Sequence, residues 1–247
     1  MKALLIVSIA LCLLSCNKQI QPTLRVYVAA SLTDVMQEVG AAFERTHAIQ
    51  LEYNFAGSGT LAQQIIAAPR ADLFLSASEH WMNQVEAADH LLLHARQPLL
   101  GNRLAMVTNK QANTVKFSAP EQLPELSFRH LAIGDPDYVP AGQYAKQWLE
   151  DHGIWHQLRS RIVPATDVRA ALAQAVSRTD LIAIVYRTDY LKHRHQLSLL
   201  YELPDQQIHY PCARLSSTPA AKAFYQFLQS DPAQAIYKKH GFIRLSN

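Results

Sequence analysis

Short apolar runs alternate with stretches of helical period along most of the chain. Residues 24–29, 51–55, 72–75 and 104–108 form runs typical of buried strands. Residues 31–46 instead place apolar side chains at spacings of three and four, which predicts an amphipathic helix, and further helices are predicted over 61–68 and from 78 onward. Strands that alternate with helices in this way are typical of an α/β fold with parallel strands.

The second part of the chain repeats this alternation. Residues 130–133 and 181–186 predict two further strands, and residues 140–152 and 168–176 predict two helices. The tail, residues 219–239, is predicted to be helical. Two α/β blocks of about 80 and about 110 residues indicate two lobes with a ligand between them, since small-molecule sites favour such interfaces.

The N-terminus has the organisation of a secretory signal. Lys2 precedes an apolar run over residues 3–14, which is shorter than the roughly 20 apolar residues that a membrane span needs. The sequence Leu13-Leu14-Ser15-Cys16 resembles the bacterial lipobox, whose cysteine is lipidated. This resemblance implies a lipoprotein signal peptide over 1–15, a lipidated Cys16 and a tether over 16–23. A plain secretory signal or a buried N-terminal strand is the alternative.

Composition narrows the classes of function. The 247 residues are 49% hydrophobic and 17% charged, so the chain can bury a large core. A net charge of only +3, without a concentrated run of Lys and Arg, argues against a nucleic-acid partner. Cys12, Cys16 and Cys212 show no C-x-x-C spacing, which excludes a zinc ribbon. Cys212 is expected to be a buried small apolar residue.

Small and capping residues follow four of the predicted strands. Ser31 is expected to cap the helix after the first strand, with Asp34 three residues on, as in a capping box. Gly57-Ser58-Gly59, Val139-Pro140-Ala141 and Thr166-Asp167-Val168 open other helices. Four such turns could direct free backbone N–H groups and helix dipoles at one oxyanion. Since any α/β domain has capped helices, capping alone leaves a purely structural role open.

An ordered set of motifs resembles the molybdate-binding periplasmic proteins of ABC importers. The motifs, from residue 24 to 243, are Ala29-Ala-Ser-Leu-Thr33, Gly57-Ser-Gly-Thr-Leu-Ala62, Ala71-Asp-Leu-Phe-Leu-Ser76, Leu99-Leu-Gly-Asn102, Gly134-Asp-Pro136, Val139-Pro-Ala-Gly142, Asp167-Val-Arg169 and Ile184-Val-Tyr186. The resemblance implies a two-lobed type II periplasmic binding protein fold of the α/β class with the anion site in the inter-lobe cleft. It further implies a first lobe over 24–100, a second lobe over 101–207 and a return to the first lobe over 208–247.

The resemblance also implies the residues of the site. Ser31 and Ser58, the backbone N–H groups of Ala141 and Val168, and the Tyr186 phenol would hold the oxyanion. Glycines stand at positions 57 and 59, where some family members carry serines, and the expected effect is on loop flexibility more than on contacts.

Donors without a cationic partner suit a fully ionised tetrahedral anion, because the O–H of a protonated phosphate would lack an acceptor. The expected role is capture of molybdate or tungstate, without a cofactor and without a metal beyond the oxyanion. The expected partners are the permease of an ABC importer and the membrane that holds the lipid anchor. A monomer in the periplasm or at the cell exterior is expected. Another oxyanion, such as sulfate, or an oxyanion-sensing lipoprotein without a transport role, are the alternatives.

An enzyme is the competing class. Arg169, Asp34 and Asp167 adjoin the proposed donors, but cap or surface roles are expected for charges near helix starts. Asp135 and Asp137 favour a turn over a metal site because Pro136 separates them. Two histidine pairs with i, i+4 spacing, over 90–94 and 152–156, lack the Glu of the H-E-x-x-H motif. No hydrolase elbow, Walker loop or dinucleotide fingerprint is present, so catalysis is not expected.

Overall fold

The computed structural model describes residues 21–113 and 117–245 of the chain. The predicted signal peptide and the predicted lipidation at Cys16 lie outside these residues, so both stay predictions. Across the described part of the chain, no helix is long and apolar enough to cross a membrane.

The described residues contain one mixed sheet of eight strands in the order β2-β1-β3-β8-β4-β7-β5-β6. The strands are β1 Thr23–Ala29, β2 Gln50–Ala56, β3 Leu73–Leu75, β4 Ala95–Asn109, β5 His130–Gly134, β6 Ile162–Ala165, β7 Leu181–Tyr186 and β8 Leu197–Arg214. The helices are α1 Thr33–Glu44, α2 Ser58–Ala67, α3 Glu79–Glu86, α4 Pro140–Asp151, α5 Trp155–Leu158, α6 Val168–Ser177, α7 Arg187–His193, α8 Pro219–Phe227 and α9 Asp231–Lys239.

The sheet has two parallel groups joined by an antiparallel pair. β1 runs parallel to β2 and β3, and β5 runs parallel to β6 and β7. We call β1–β3 with α1–α3 the first half, and β5–β7 with α4–α7 the second half. β4 and β8 pair with each other and lie between the halves, with register shifts at Pro98/Leu100, Asn102/Leu104 and Met106/Val107. The lobe boundaries predicted at residues 101 and 207 fall within this central pair and stay predictions.

The core follows from the apolar runs that the sequence shows. β7 is buried along its whole length, as expected for a strand covered on both faces of the sheet. Val35, Met36, Val39 and Phe43 form the buried face of α1, which confirms its predicted period. Cys212 is a free, fully buried thiol, as predicted.

The tail is helical, as predicted, and consists of two helices, α8 and α9, because Pro232 lacks an N–H and favours the first turn of a new helix. Two other expectations about elements differ from the structure. The second helix begins at Ser58 rather than Leu61, so Ser58 is itself a helical residue. The run over 104–108 is only the end of the 15-residue β4, and the 18-residue β8 was missed, because prolines and polar residues interrupt both strands.

Candidate functional site

The structure brings the five predicted ligand residues together around one small cavity. Each lies at the carboxyl end of a strand or at the start of the helix that follows it, which is where open α/β sheets bind ligands. The residues are Ser31 after β1, Ser58 at the start of α2, Ala141 in the first turn of α4, Val168 at the start of α6 and Tyr186 at the end of β7. The cavity has a volume of about 10 Å³ and is also lined by Ala29, Ala30, Gly57, Ala77, Val139, Pro140 and Asp167.

Three residues with hydroxyl groups, Ser31, Ser58 and Tyr186, line the cavity, and no basic side chain does. Ala141 and Val168 stand in the first turns of α4 and α6, where backbone N–H groups have no acceptor within the helix. A volume of about 10 Å³ is far below the 300–1,000 Å³ usual for drug-sized ligands, so the cavity has no room for a ligand of that size.

Tyr186 is the most informative side chain of the cavity. Its side chain is 1% exposed, and its hydroxyl makes no hydrogen bond of ordinary geometry with the described residues. Burial, then the neighbouring Tyr210 phenol, raises the pKa of Tyr186 well above its ordinary value, so the hydroxyl keeps its proton. The Tyr210 hydroxyl is a nearby but poorly aligned acceptor for this proton, and an anion in the cavity would offer a charged one.

Ser31 does not cap a helix, contrary to the sequence prediction. A 3-10 turn over Ala30–Leu32 intervenes, α1 begins at Thr33, and no side chain caps its N-terminus. The Ser31 hydroxyl instead lies 3.2 Å from the Tyr210 hydroxyl. The capping prediction failed because Thr33, which donates to the Ala30 carbonyl, tightens the turn before the helix starts.

A chain of buried polar groups stands behind Ser31. Asn102 on β4 donates through Nδ2 to the Tyr210 hydroxyl at 3.1 Å and to the Thr188 hydroxyl at 3.0 Å. With Asn102 donating to its oxygen, Tyr210 can donate its own proton to Ser31, which leaves the Ser31 proton for a ligand. The sequence did not indicate Tyr210, because β8 was not recognised as a strand. Asn102 belongs to the motif Leu99-Leu-Gly-Asn102, but no function was expected for its side chain.

Ser58 is oriented by a shorter contact. Its hydroxyl oxygen accepts the Ala77 backbone N–H at 2.9 Å, and the side chain is 1% exposed. Since that oxygen is engaged as an acceptor, the hydroxyl proton is free to point into the cavity. Ser58 and Ser31 therefore present donors from the first half, while Ala141, Val168 and Tyr186 belong to the second half.

The glycines at positions 57 and 59 allow contact between the halves rather than loop flexibility, which corrects the sequence expectation. A Cβ at Gly59 would lie 2.4 Å from the Tyr138 carbonyl oxygen and 2.9 Å from the Trp81 ring. A Cβ at Gly57 would lie 3.3 Å from the Thr166 carbonyl oxygen. Tyr138 and Thr166 belong to the loops before α4 and α6, so both glycines face the second half across the cavity.

The charged residues near the site divide into two roles. Asp167 caps α6, since its Oδ1 accepts the Ala170 N–H at 2.9 Å, as predicted. Arg169 and Asp34 are not simple surface charges, because they pair across the halves with an Nη2–Oδ2 distance of 2.7 Å. Asp135 accepts the Asp137 N–H at 2.9 Å, which is the predicted turn.

The histidine pairs have other partners. His90 lies 2.8 Å from the Ile66 carbonyl, and His152 lies 2.7 Å from the Trp148 carbonyl. Over residues 21–113 and 117–245, no group of three or more His, Cys, Asp or Glu side chains could hold a metal ion.

Comparison with known proteins agrees with this geometry. A family profile described as bacterial extracellular solute-binding protein matches residues 24–243. The molybdate-binding protein ModA of Escherichia coli is 35% identical over 225 residues, covering 88% of this chain and 87% of that protein. The putative ABC transporter substrate-binding lipoprotein YvgL of Bacillus subtilis is 30% identical, covering 92% and 89%. The structure of the Azotobacter vinelandii periplasmic molybdate-binding protein superposes with a TM-score of 0.79 at 20% identity, covering 90% and 100%.

Proposed function

Because the chain belongs to the family of bacterial extracellular solute-binding proteins, we propose that it captures molybdate or tungstate and delivers it to an ABC importer. The relatives named as molybdate-binding proteins support this ligand, at up to 35% identity over most of the chain. The observation that carries the proposal is the buried Tyr186 hydroxyl, which has no hydrogen bond of ordinary geometry with the described residues, in a cavity that two serines and the first turns of two helices also line.

The proposed ligand set is Ser31, Ser58, Ala141, Val168 and Tyr186. A tetrahedral dianion accepts hydrogen bonds on every oxygen, and hydroxyl and backbone donors satisfy it without a buried cation. Asp167 also borders the cavity, but one of its carboxylate oxygens caps α6. The hydroxyl and backbone donors disfavour a protonated phosphate, whose O–H needs an acceptor, but the second Asp167 oxygen is such an acceptor at the cavity. Phosphate is therefore one of the anions that the test below has to compare. Sulfate is also fully ionised, so cavity size has to separate it from molybdate.

We also propose that the chain is anchored through a lipid on Cys16. The lipobox-like sequence supports this anchor, and the relative from Bacillus subtilis is named a lipoprotein. Delivery to a permease follows from the role of the family and needs no catalytic group. A Cys16→Ser variant should then leave the membrane fraction while it keeps its ligand affinity.

A thermal-unfolding panel tests the proposal. The purified protein is heated with molybdate, tungstate, sulfate, phosphate or buffer alone. A ligand present at about 100 times its Kd stabilises the fold by roughly 2.7 kcal/mol, which raises Tm by about 5–11 °C for a chain of this size. We expect a shift with molybdate and tungstate only. An equal shift with sulfate would overturn the assignment of molybdate as the ligand and keep the role of an anion-binding protein. The absence of a shift with any anion would overturn the whole proposal.

A further inference from the structure

A cluster of charged side chains joins the two halves beside the anion cavity. Arg169, in the first turn of α6, contacts Asp34 of α1 with an Nη2–Oδ2 distance of 2.7 Å. The same guanidinium lies 3.0 Å, through Nε, from Oδ1 of Asp189 on α7. Lys192, also on α7, forms a second ion pair with Asp34. Asp34 thus brings one carboxylate of the first half to two cations of the second half.

This cluster lies directly behind the turns that carry the proposed ligand groups. Asp34 is three residues after Ser31, and Arg169 follows Val168. The Arg169 Nη2 also approaches the Ser31 carbonyl oxygen at 3.4 Å. Neither Asp34 nor Arg169 lines the anion cavity. Both instead line an adjoining cleft of about 480 Å³, and Ser31 borders the cleft as well as the cavity.

The ion pairs of the cluster are partly shielded from solvent, so they can stabilise the contact between the halves. Fully exposed ion pairs contribute little, because water and salt screen them. The Arg169 and Asp34 side chains are only 26% and 23% exposed, and the Asp189 side chain is 0% exposed. Burial raises the pKa of Asp34, but the hydrogen bond from Lys192 and the charge of Arg169 outweigh it, so the pKa is lowered and Asp34 stays ionised at neutral pH.

We propose that Asp34 and Arg169 are positioning residues that hold the two halves of the anion site together and so set the rate at which the anion leaves. This inference rests on the proposed function and adds to it the control of release. The donors around the cavity belong to different halves, so they converge on one anion only while the halves are in contact. The Asp34–Arg169 pair, supported by Lys192, makes that contact outside the cavity, and it must break before the site opens.

The test compares Asp34→Asn with a matched control on the same helix. Glu38, one turn further along α1, pairs with Lys239 and His240, and α9 packs against α1 on the side of the first half. Glu38→Gln therefore removes a carboxylate of α1 and its ion pairs without touching a contact between the halves. For wild type and both variants, stopped-flow measurements give the molybdate dissociation rate, and calorimetry gives Kd.

We expect Asp34→Asn to raise the dissociation rate and Kd by roughly tenfold, since losing one partner of a shielded charge pair acts mainly on dissociation. Glu38→Gln should stay within about twofold of wild type, the range expected when an exposed ion pair is lost. Added KCl should accelerate dissociation from wild type more than from Asp34→Asn, because salt weakens the pair that the variant lacks. The Tm of the ligand-free protein, measured alongside, separates an effect on ligand release from a general loss of stability in either variant.

A second variant guards against misfolding of the first. Lys192→Met removes one cation from Asp34 and leaves the Arg169 pair in place, so it should raise the dissociation rate by less than Asp34→Asn. Equal dissociation rates in Asp34→Asn and Glu38→Gln, or in Lys192→Met and wild type, would overturn the inference. If wild type binds none of molybdate, tungstate and sulfate, the proposed function fails and this inference fails with it. If wild type binds molybdate and Asp34→Asn releases it at the same rate as wild type, the inference fails while the proposed function stands.

Discussion

At the scale of single residues, the anion site depends on hydroxyl groups whose hydrogen-bond partners are incomplete. The Ser58 oxygen accepts the Ala77 N–H, which leaves the Ser58 proton for a ligand, and the Ser31 hydroxyl shares a hydrogen bond with Tyr210 in which either hydroxyl can donate. Tyr186 has no partner of ordinary geometry among the described residues. The fold thus keeps polar groups in a state that costs free energy until an anion is bound.

The variant Tyr186→Phe separates the effect of the Tyr186 hydroxyl on the stability of the free protein from its effect on anion binding. The variant should lose roughly 1–3 kcal/mol of binding free energy, because it removes a donor to a charged acceptor. Its ligand-free stability should be equal to that of wild type or higher, since an unsatisfied hydroxyl is removed. Isothermal titration calorimetry with molybdate and urea unfolding give the two quantities.

Tyr237→Phe is the matched control for Tyr186→Phe. Tyr237 is equally buried, but its hydroxyl donates to the Leu228 carbonyl at 3.0 Å, away from the cavity. This variant should lose about 1 kcal/mol of stability and keep its affinity. The same pattern in both variants would mean that Tyr186 does not contact the anion.

Gly59→Ala tests the close approach of the halves. The added Cβ would lie 2.4 Å from the Tyr138 carbonyl oxygen, a backbone atom that cannot move aside cheaply. We expect Gly59→Ala to reduce molybdate affinity by roughly tenfold, in the lower part of the usual cost of overpacking. Gly57→Ala, with its nearest atom at 3.3 Å, should cost less. Affinities that do not follow this order would show that the contact plays no part in binding.

At the scale of elements, the start of α6 serves both the fold and the site. Asp167 caps α6 and borders the cavity, whereas Thr218 caps α8 through a 3.3 Å bond from the Ala221 N–H and does not border it. Asp167→Ala and Thr218→Ala should each cost about 1 kcal/mol of stability, the usual value of an N-cap. Only Asp167→Ala should change molybdate affinity, because its loss loosens the turn that presents the Val168 N–H. Chemical unfolding and calorimetry on both variants check this, and equal affinities would contradict it.

Elements with a strong local period could be predicted from the sequence, and elements fixed by distant pairing could not. β7 and the buried face of α1 appear in the apolar pattern because local spacing alone determines them. β8 is held in place by pairing with β3 and β4, and its prolines hide it from any local pattern. The ligand residues were expected through family motifs, but Tyr210 and the Asp34–Arg169 contact depend on packing between segments more than 130 residues apart.

At the scale of the whole molecule, the site is buried between two halves. Ser58, Ala141 and Tyr186 are each at most 1% exposed, so an anion cannot reach them while the halves are in contact. Besides the Asp34 ion pairs, Tyr144 of α4 approaches the Ala77 carbonyl at 3.4 Å across the same boundary. Binding therefore requires the halves to separate and then close again.

Small-angle X-ray scattering should detect this motion. The radius of gyration of wild type is expected to fall when molybdate is added, because bound anion favours the closed arrangement. Tyr186→Phe, measured at the same molybdate concentration below saturation, should show a smaller fall. An identical scattering profile with and without saturating molybdate would mean that the halves do not separate in the free protein.

The central pair of β4 and β8 connects the halves through continuous strand pairing rather than through a loop. One of its register shifts adjoins Asn102, which is bonded to Tyr210 behind the site. The apparent affinity equals the intrinsic affinity scaled by the fraction of molecules that are closed. Substitutions in this pair that change the closed fraction, at positions away from Asn102 and Tyr210, would change the affinity for every anion in equal proportion. Evolution can therefore adjust the strength of binding at such positions without changing the choice of ligand.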